Sequence, residues 1–224
     1  MTTYPMAVED YVKVIYSHTE WQPEPITTSV LAGRLGLAAS SVTEMVKKLG
    51  AQGLVDHVPY GAVTLTADGT ALALRMLRRH RLIETWLVRH FDYSWDEVHD
   101  EAEVLEHALS DRLLDKIDDQ LGRPTRDPHG DPIPSKAGVI AQPRAVLLRA
   151  AAAGESVTVV RISDRDPLLL RHLEAEEITI DSELDIVSIE PFVVAIGGRD
   201  GTRELSPDAL VSIWVGREGQ ARVK

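Results

Sequence analysis

The run His99-Asp100-Glu101-Ala102-Glu103-Val104-Leu105-Glu106-His107 interleaves imidazoles with carboxylates at spacings that place several of them on one side of a helix. At about 100° per residue, His99, Glu103, Glu106 and His107 fall at roughly 0°, 40°, 340° and 80° around an α-helix. His99 and His107 would still be about 12 Å apart along its axis, too far for one small ion to hold both. Two neighbouring ions fit the spacing better. His80 and Glu84 form an i, i+4 pair on the preceding helical pattern and could complete a site nearer His99, and Asp10 offers a further carboxylate near the start.

Two other readings of these residues compete with metal binding. A solvated helix face also collects i, i+3 and i+4 charges, but three of the eight histidines stand at ligand-compatible positions among carboxylates rather than lysines. A carboxylate-bridged di-metal hydrolase would need an open coordination position or the paired Glu-x-x-His of ferritin-like bundles. That pair is missing, and no general base stands out beyond the ligands themselves. The chain therefore reads as a non-enzyme. With no cysteine, disulfides, zinc fingers and thiolate chemistry are excluded, and any metal must be held by nitrogen and oxygen.

The elements that would position these residues begin with Val8, Tyr11, Val12, Ile15 and Tyr16, the stripe of an amphipathic helix over 6–18, with Asp10 off the stripe. Helical patterns follow over Thr28–Leu35 and Val42–Leu49, separated by Gly36-Leu37-Ala38, which is a helix-turn-helix signature. Residues 54–58 and 62–65 around Pro59-Tyr60-Gly61 read as a short hairpin, a wing. Thr66 then caps a long helix running toward Arg89. Between Gly122 and Pro143 the density of proline and glycine stops helices and marks a linker and domain boundary. Beyond it, Val157–Ile162, Leu184–Ile189, Phe192–Ile196 and Leu210–Val215 read as strands, most economically a small five-stranded barrel.

On the second helix of the helix-turn-helix, Ser40, Ser41 and Thr43 are either phosphate contacts or caps. Ser41 and Glu44 match a capping box, preferred here over Glu44 accepting from a cytosine amino group. Lys47 and Lys48 are candidate phosphate contacts. The formal net charge of −11 runs against DNA binding, since affinity for a duplex comes mostly from cations meeting phosphates. Residues 1–72 hold four basic side chains (Lys13, Arg34, Lys47, Lys48) against seven acidic ones, net −3. Residues 73–135 hold nine basic against fourteen acidic, net −5. Divalent cations would offset what the sequence leaves unbalanced, so weak DNA binding without metal is expected.

No apolar run approaches the roughly 20 residues that span a bilayer, and Met1-Thr-Thr-Tyr-Pro5 lacks the regions of a signal peptide. A cytoplasmic location without membrane partners is the resulting expectation. Leu87, Phe91, Trp95 and Val98 are either dimer contacts or intradomain core.

Together, Glu9-Asp10-Tyr11, Arg79-His80-Arg81-Leu82-Ile83-Glu84, the run Val98–Asp111 and Asp127-Pro-His-Gly-Asp-Pro-Ile-Pro134 carry a resemblance. The chain resembles the metal-dependent repressors typified by the diphtheria toxin repressor, most of all their manganese-responsive, MntR-type actinobacterial branch with three domains. The resemblance implies a mainly α fold with β. It comprises an N-terminal winged helix-turn-helix (1–72), a helical metal-binding and dimerisation domain (73–135), a linker (136–150) and a C-terminal SH3-like, FeoA-like small β-barrel (151–224). It further implies a homodimer that binds a pseudo-palindromic operator on double-stranded DNA when Mn²⁺ is present, with no organic substrate. Fe²⁺ is the alternative ion, and Co²⁺, Cd²⁺ or Zn²⁺ would substitute in vitro. Carried over, the primary ion takes Asp10, Glu103, Glu106 and His107, and the ancillary ion takes His80, Glu84 and His99, with Asp164 or Asp166 as a third-domain ligand. In iron-responsive relatives the positions of Asp10 and Glu103 carry methionine and cysteine. Replacing soft sulfur by hard carboxylate favours Mn²⁺ over later, softer metals.

Overall fold

The computed structural model describes residues 4–58, 61–190, 193–198 and 201–217. Pro59 and Tyr60 of the expected wing turn, and Phe192 of the expected third strand, lie outside them. The chain divides into two compact units, Met1–His80 with Pro134–Val139, and Arg81–Ile133 with Ile140–Lys224. No helix among the described residues is long and apolar enough to cross a membrane.

The first unit opens with α1 (Met6–Glu20), whose Val8, Tyr11, Val12 and Ile15 are buried. Next come α2 (Thr28–Leu35) and α3 (Ala39–Ala51). The turn between them works because Gly36 takes a left-handed φ of 65°, which a residue with a Cβ adopts only at a cost. Strands β1 (Val55–His57) and β2 (Val63–Leu65) pair antiparallel with Val55 opposite Leu65. Thr66 begins α4 (Ala67–Phe91) as expected, its Oγ1 accepting from the Gly69 amide at 3.1 Å. Apolar side chains from α1, α2, α3, the hairpin and the start of α4 share one core, which makes this unit a winged helix-turn-helix.

The second unit takes the remainder of α4, then α5 (Val98–Leu105) and α6 (Asp111–Gln120). Their core is built from Leu82, Ile83, Leu87, Val98, Ala102, Leu114 and Ile117. Of the four residues weighed as dimer contacts, Leu87 and Val98 lie in this core, Trp95 is buried instead in the core of the β module that follows, and Phe91 is exposed. The β module contributes β3 (Val146–Leu147), β4 (Ser156–Ile162), α7 (Pro167–Ala175), β5 (Glu183–Glu190), β6 (Val193–Gly198), β7 (Gly201–Leu205), α8 (Pro207–Ser212) and β8 (Ile213–Arg217). Among the described residues, six strands in the order β3-β8-β4-β5-β6-β7 form one antiparallel sheet, SH3-like, where five were expected. Register breaks between Val159 and Arg161 and between Ile186 and Ser188 bend it.

Other elements also depart from expectation. The ligand run is not one helix: α5 ends at Leu105, and Glu106 and His107 enter a turn that leads to Ser110, the cap of α6. Leu210–Val215 is not one strand, because Pro207 at the first helical position starts α8 and only Ile213 onward is extended. The proline-rich stretch stops helices, but 129–134 are all buried rather than solvated as a linker would be. Gly130 explains part of this. It has φ +90°, and a Cβ there would stand 2.1 Å from the Val160 carbonyl oxygen. Gly130→Ala is accordingly expected to destabilise the chain by about 1–3 kcal/mol or more, read as a lowered urea midpoint; an unchanged midpoint would contradict the close approach.

Candidate metal centre

Within the second unit, three elements deliver acidic and imidazole groups to one place. Glu84 lies on α4, one turn after His80 and facing inward with only 1% of its side chain exposed. His99 stands at the start of α5, and Asp164 in the turn between β4 and α7. His99 Nδ1 is 3.5 Å from Glu84 Oε1 and 3.4 Å from Asp164 Oδ2, while its Nε2 is 3.5 Å from Glu103 Oε1. One ligand atom each from Glu84, His99 and Asp164 fall within 4.8 Å of one another, and so do one each from Glu84, Asp127 and His129. The two triads share Glu84.

Asp127 and His129 owe their position to the buried proline-rich loop. Asp127 Oδ1 accepts the amides of His129 and Asp131, both at 2.9 Å, so its carboxylate is the centre around which the loop turns. The His129 carbonyl accepts from the Ile162 amide at 2.9 Å, which docks the loop on β4. Arg81 donates to the Pro132 carbonyl at 2.7 Å and lies 3.7 Å from Asp127 Oδ2 and 3.5 Å from Asp131 Oδ1. Arg161 donates to Asp131 at 2.8 Å, and its guanidinium lies 4.4 Å from the centroid of the Trp214 ring.

The electrostatics follow from burial and crowding. Burial, then the facing Asp131 and Glu84 carboxylates, push the Asp127 carboxyl well above the ordinary carboxylate range. Burial would pull the His129 imidazole down, but Glu84, Asp127 and Asp164 with the Trp95 carbonyl more than reverse it. Burial would likewise raise Asp164, yet His129, His99 and Arg161 hold it below the usual carboxylate value. Three carboxylates and two imidazoles, with a buried His129 Nδ1 that has no hydrogen-bond partner among the described residues, suit a divalent cation of hard or borderline character.

Glu106 and His107 occupy the turn after α5, with His107 Nε2 3.4 Å from Glu106 Oε1 and Glu106 wholly buried. Glu103, on the last full turn of α5, is partly exposed beside His99. Asp10 and His80 belong to the first unit. Asp10 is half-buried on α1, and His80 is buried on α4.

Profiles of known families cover most of the chain. The iron dependent repressor N-terminal DNA binding domain matches residues 6–63, its metal binding and dimerisation domain matches 66–135, and the FeoA domain matches 146–215. An HTH-type transcriptional regulator of Methanocaldococcus jannaschii is 38% identical over 111 residues, half of this chain and 89% of that one. The chain belongs to the iron-dependent repressor family. The iron-dependent repressor IdeR of Mycobacterium tuberculosis is 34% identical to this repressor over 159 residues, 68% of this chain and 69% of its own. Among solved structures, a manganese-dependent transcriptional repressor in complex with manganese is 49% identical, with a TM-score of 0.89 over 94% of this chain and 99% of that one. The manganese regulator SloR is 32% identical, with a TM-score of 0.79 over 97% and 100%.

The repressor's α3 exposes Ser40, Ser41, Glu44, Lys47 and Lys48. The capping box expected of Ser41 and Glu44 does not form. The helix begins three residues earlier than expected, at Ala39 after the N-cap Ala38, so Ser41 is its third residue. Glu44 instead accepts from Lys47 Nζ at 2.8 Å. Thr43 Oγ1 donates to the Ala39 carbonyl at 2.8 Å and is half-buried. Of the two third-domain aspartates, Asp164 faces His99, whereas Asp166 caps α7 by accepting from the amides of Leu168 and Leu169. Sequence reasoning missed Asp127 and His129 as candidate site residues. The signal was present in Asp127-Pro-His-Gly-Asp131, but prolines on either side made it read as linker.

Proposed function

We propose that this repressor is manganese-dependent and, as a cytoplasmic homodimer, binds a pseudo-palindromic operator controlling metal-uptake genes. The observation that carries the reading is the chemistry of the donors. Every candidate ligand is a carboxylate or an imidazole, in a chain without cysteine, and such a set favours Mn²⁺ over softer ions. The 49% identity to a manganese-dependent repressor points the same way.

In this reading residues 1–72 read DNA, 73–135 carry the switch and the dimer contacts, 136–150 connect, and 151–224 form the SH3-like domain. Asp10, Glu103, Glu106 and His107 hold the primary ion. The ancillary ion takes His80, Glu84 and His99 with Asp164 as the third-domain ligand, and we add Asp127 and His129. Each ion, when bound, supplies positive charge that turns carboxylate repulsion into attraction. Ser40, Ser41 and Thr43 contact phosphates, Glu44 faces base edges, and Lys47 and Lys48 meet the backbone. The protein regulates and does not catalyse.

A gel shift with the promoter of a manganese-uptake gene, run with and without Mn²⁺, tests the reading. Retardation should require Mn²⁺, and retardation equal in chelator would overturn it. Fe²⁺ in a parallel anaerobic lane separates the iron-dependent alternative. Selectivity has its own prediction. Asp10→Met combined with Glu103→Cys should move the half-maximal response toward Fe²⁺ and Co²⁺, measured by anisotropy of labelled operator; an unaltered metal profile would place selectivity elsewhere.

A further inference from the structure

His129 has one nitrogen already committed. Its Nε2 lies 2.6 Å from the backbone carbonyl oxygen of Trp95. A carbonyl only accepts, so Nε2 carries the hydrogen whether the ring is neutral or charged. The other nitrogen, Nδ1, is buried without a hydrogen-bond partner among the described residues. One nitrogen of this ring lies within 4.8 Å of carboxylate oxygens of Glu84 and Asp127. The Trp95 indole lies alongside, its ring 13° from coplanar with the imidazole at 6.1 Å between centroids. Trp95 is itself fixed, buried in the core of the β module, and the backbone of His129 is held by the Asp127 carboxylate and the Ile162 amide.

We propose that Trp95 is a positioning residue for the ancillary site: its carbonyl locks His129 in the Nε2–H tautomer, so that Nδ1 is the atom offered to the ion. The assignment rests on His129 belonging to the ancillary set, as proposed above. Metal-ligating histidines commonly donate their other N–H to a carbonyl or carboxylate, which fixes tautomer and ring orientation together. Here the donor's partner comes from the segment joining α4 to α5, so this hydrogen bond adds to the one from Arg81 to Pro132 in tying the loop that bears His129 to the helices that bear Glu84 and His99.

The test uses the full chain with ¹⁵N-labelled histidine and ¹¹³Cd²⁺, a diamagnetic probe. With two Cd²⁺ bound per chain, scalar coupling from cadmium should appear at Nδ1 of His129, while Nε2 keeps its attached proton. Coupling at Nε2 overturns the proposal and leaves the ancillary site standing. Two bound ions without coupling at His129 overturn it as well, by removing His129 from the site. Binding of a single Cd²⁺ would instead sink the two-ion reading beneath it. Side-chain mimics give an independent arm, because the Asn amide matches the Nδ1 position and the Gln amide matches Nε2. His129→Asn should retain a weakened second ion by calorimetry, and His129→Gln should lose it with its melting temperature preserved. The opposite ranking counts against Nδ1.

Discussion

Glu106→Gln is expected to abolish Mn²⁺-dependent operator binding while leaving the apo fold intact. Glu106 is wholly buried, in the turn where α5 stops and beside His107 Nε2 at 3.4 Å. A carboxylate kept there without a cation carries a larger desolvation cost than the neutral amide of glutamine, which has the same shape. The variant should therefore melt at or above the wild-type temperature in chelator. What it loses is the charge that makes a cation preferable to water at this position. Operator affinity in Mn²⁺ should fall by about 5- to 150-fold, the usual range of coupling between two linked sites, down to the metal-free value. Anisotropy of labelled operator measures this, and a variant that still responds to Mn²⁺ like the wild type would remove Glu106 from the switch. By the same linkage, operator should tighten Mn²⁺ binding to the wild type by that factor and to Glu106→Gln not at all.

The acidic reading head gives this coupling its direction. Residues 1–72 carry net −3, and Lys47, a phosphate-contact candidate on α3, is partly neutralised by Glu44 at 2.8 Å. Electrostatic affinity for a duplex is thus low by composition. With α3 reading the operator as proposed, specific binding would depend on presenting that helix in one arrangement, and a switch could act on it without any basic patch.

The sequence carried the winged helix-turn-helix well because each of its elements has a local cause. The stripe of Val8, Tyr11, Val12 and Ile15, the left-handed Gly36 and the Thr66 cap act within a few residues of themselves. Glu84, His99 and Asp164 were legible as candidate ligand types, and Asp164 was separated from Asp166 only by tertiary context: one faces His99, the other caps α7. The failures share a cause. Helical extrapolation through His107 ignored Ser110, which needs the chain to turn before α6. Capping at Ser41 was displaced by an earlier start at Ala39, a residue with no polar side chain to mark it. The stretch 127–134 looked like linker because proline and glycine report only the absence of helix. Its burial depends on Gly130 meeting β4 and on Arg81 reaching Pro132, contacts between residues 30 and 51 positions apart in sequence.

That burial leads to the largest stability effect expected of any single substitution in the second unit. Asp131→Ala should cost about 3–5 kcal/mol, the range for breaking a buried ion pair by removing one partner. Asp131 Oδ1 accepts from Arg161 Nε at 2.8 Å and lies 3.5 Å from Arg81, and all three side chains are no more than 8% exposed. Its carboxylate thus stands between a guanidinium on α4 and one on β4. Burial would lower Arg161, but Asp131, then Asp164, keep it above its ordinary value. Alanine would leave two buried guanidiniums facing one another across a gap. The exposed pair between Arg126 and Asp181 serves as the control: it is a bidentate contact, yet Arg126 and Asp181 are 45% and 61% exposed. Solvent screening limits such a pair to about 0–1 kcal/mol, so Arg126→Ala should barely move the urea midpoint. Equal shifts for the two variants would mean that the Arg81–Asp131–Arg161 chain is solvated in solution and does not bind the helical and β modules together. A large shift for Asp131→Ala alone would make that chain the fastening on which the Asp127–His129 arm of the metal centre depends, because the loop it anchors is the one that presents both residues.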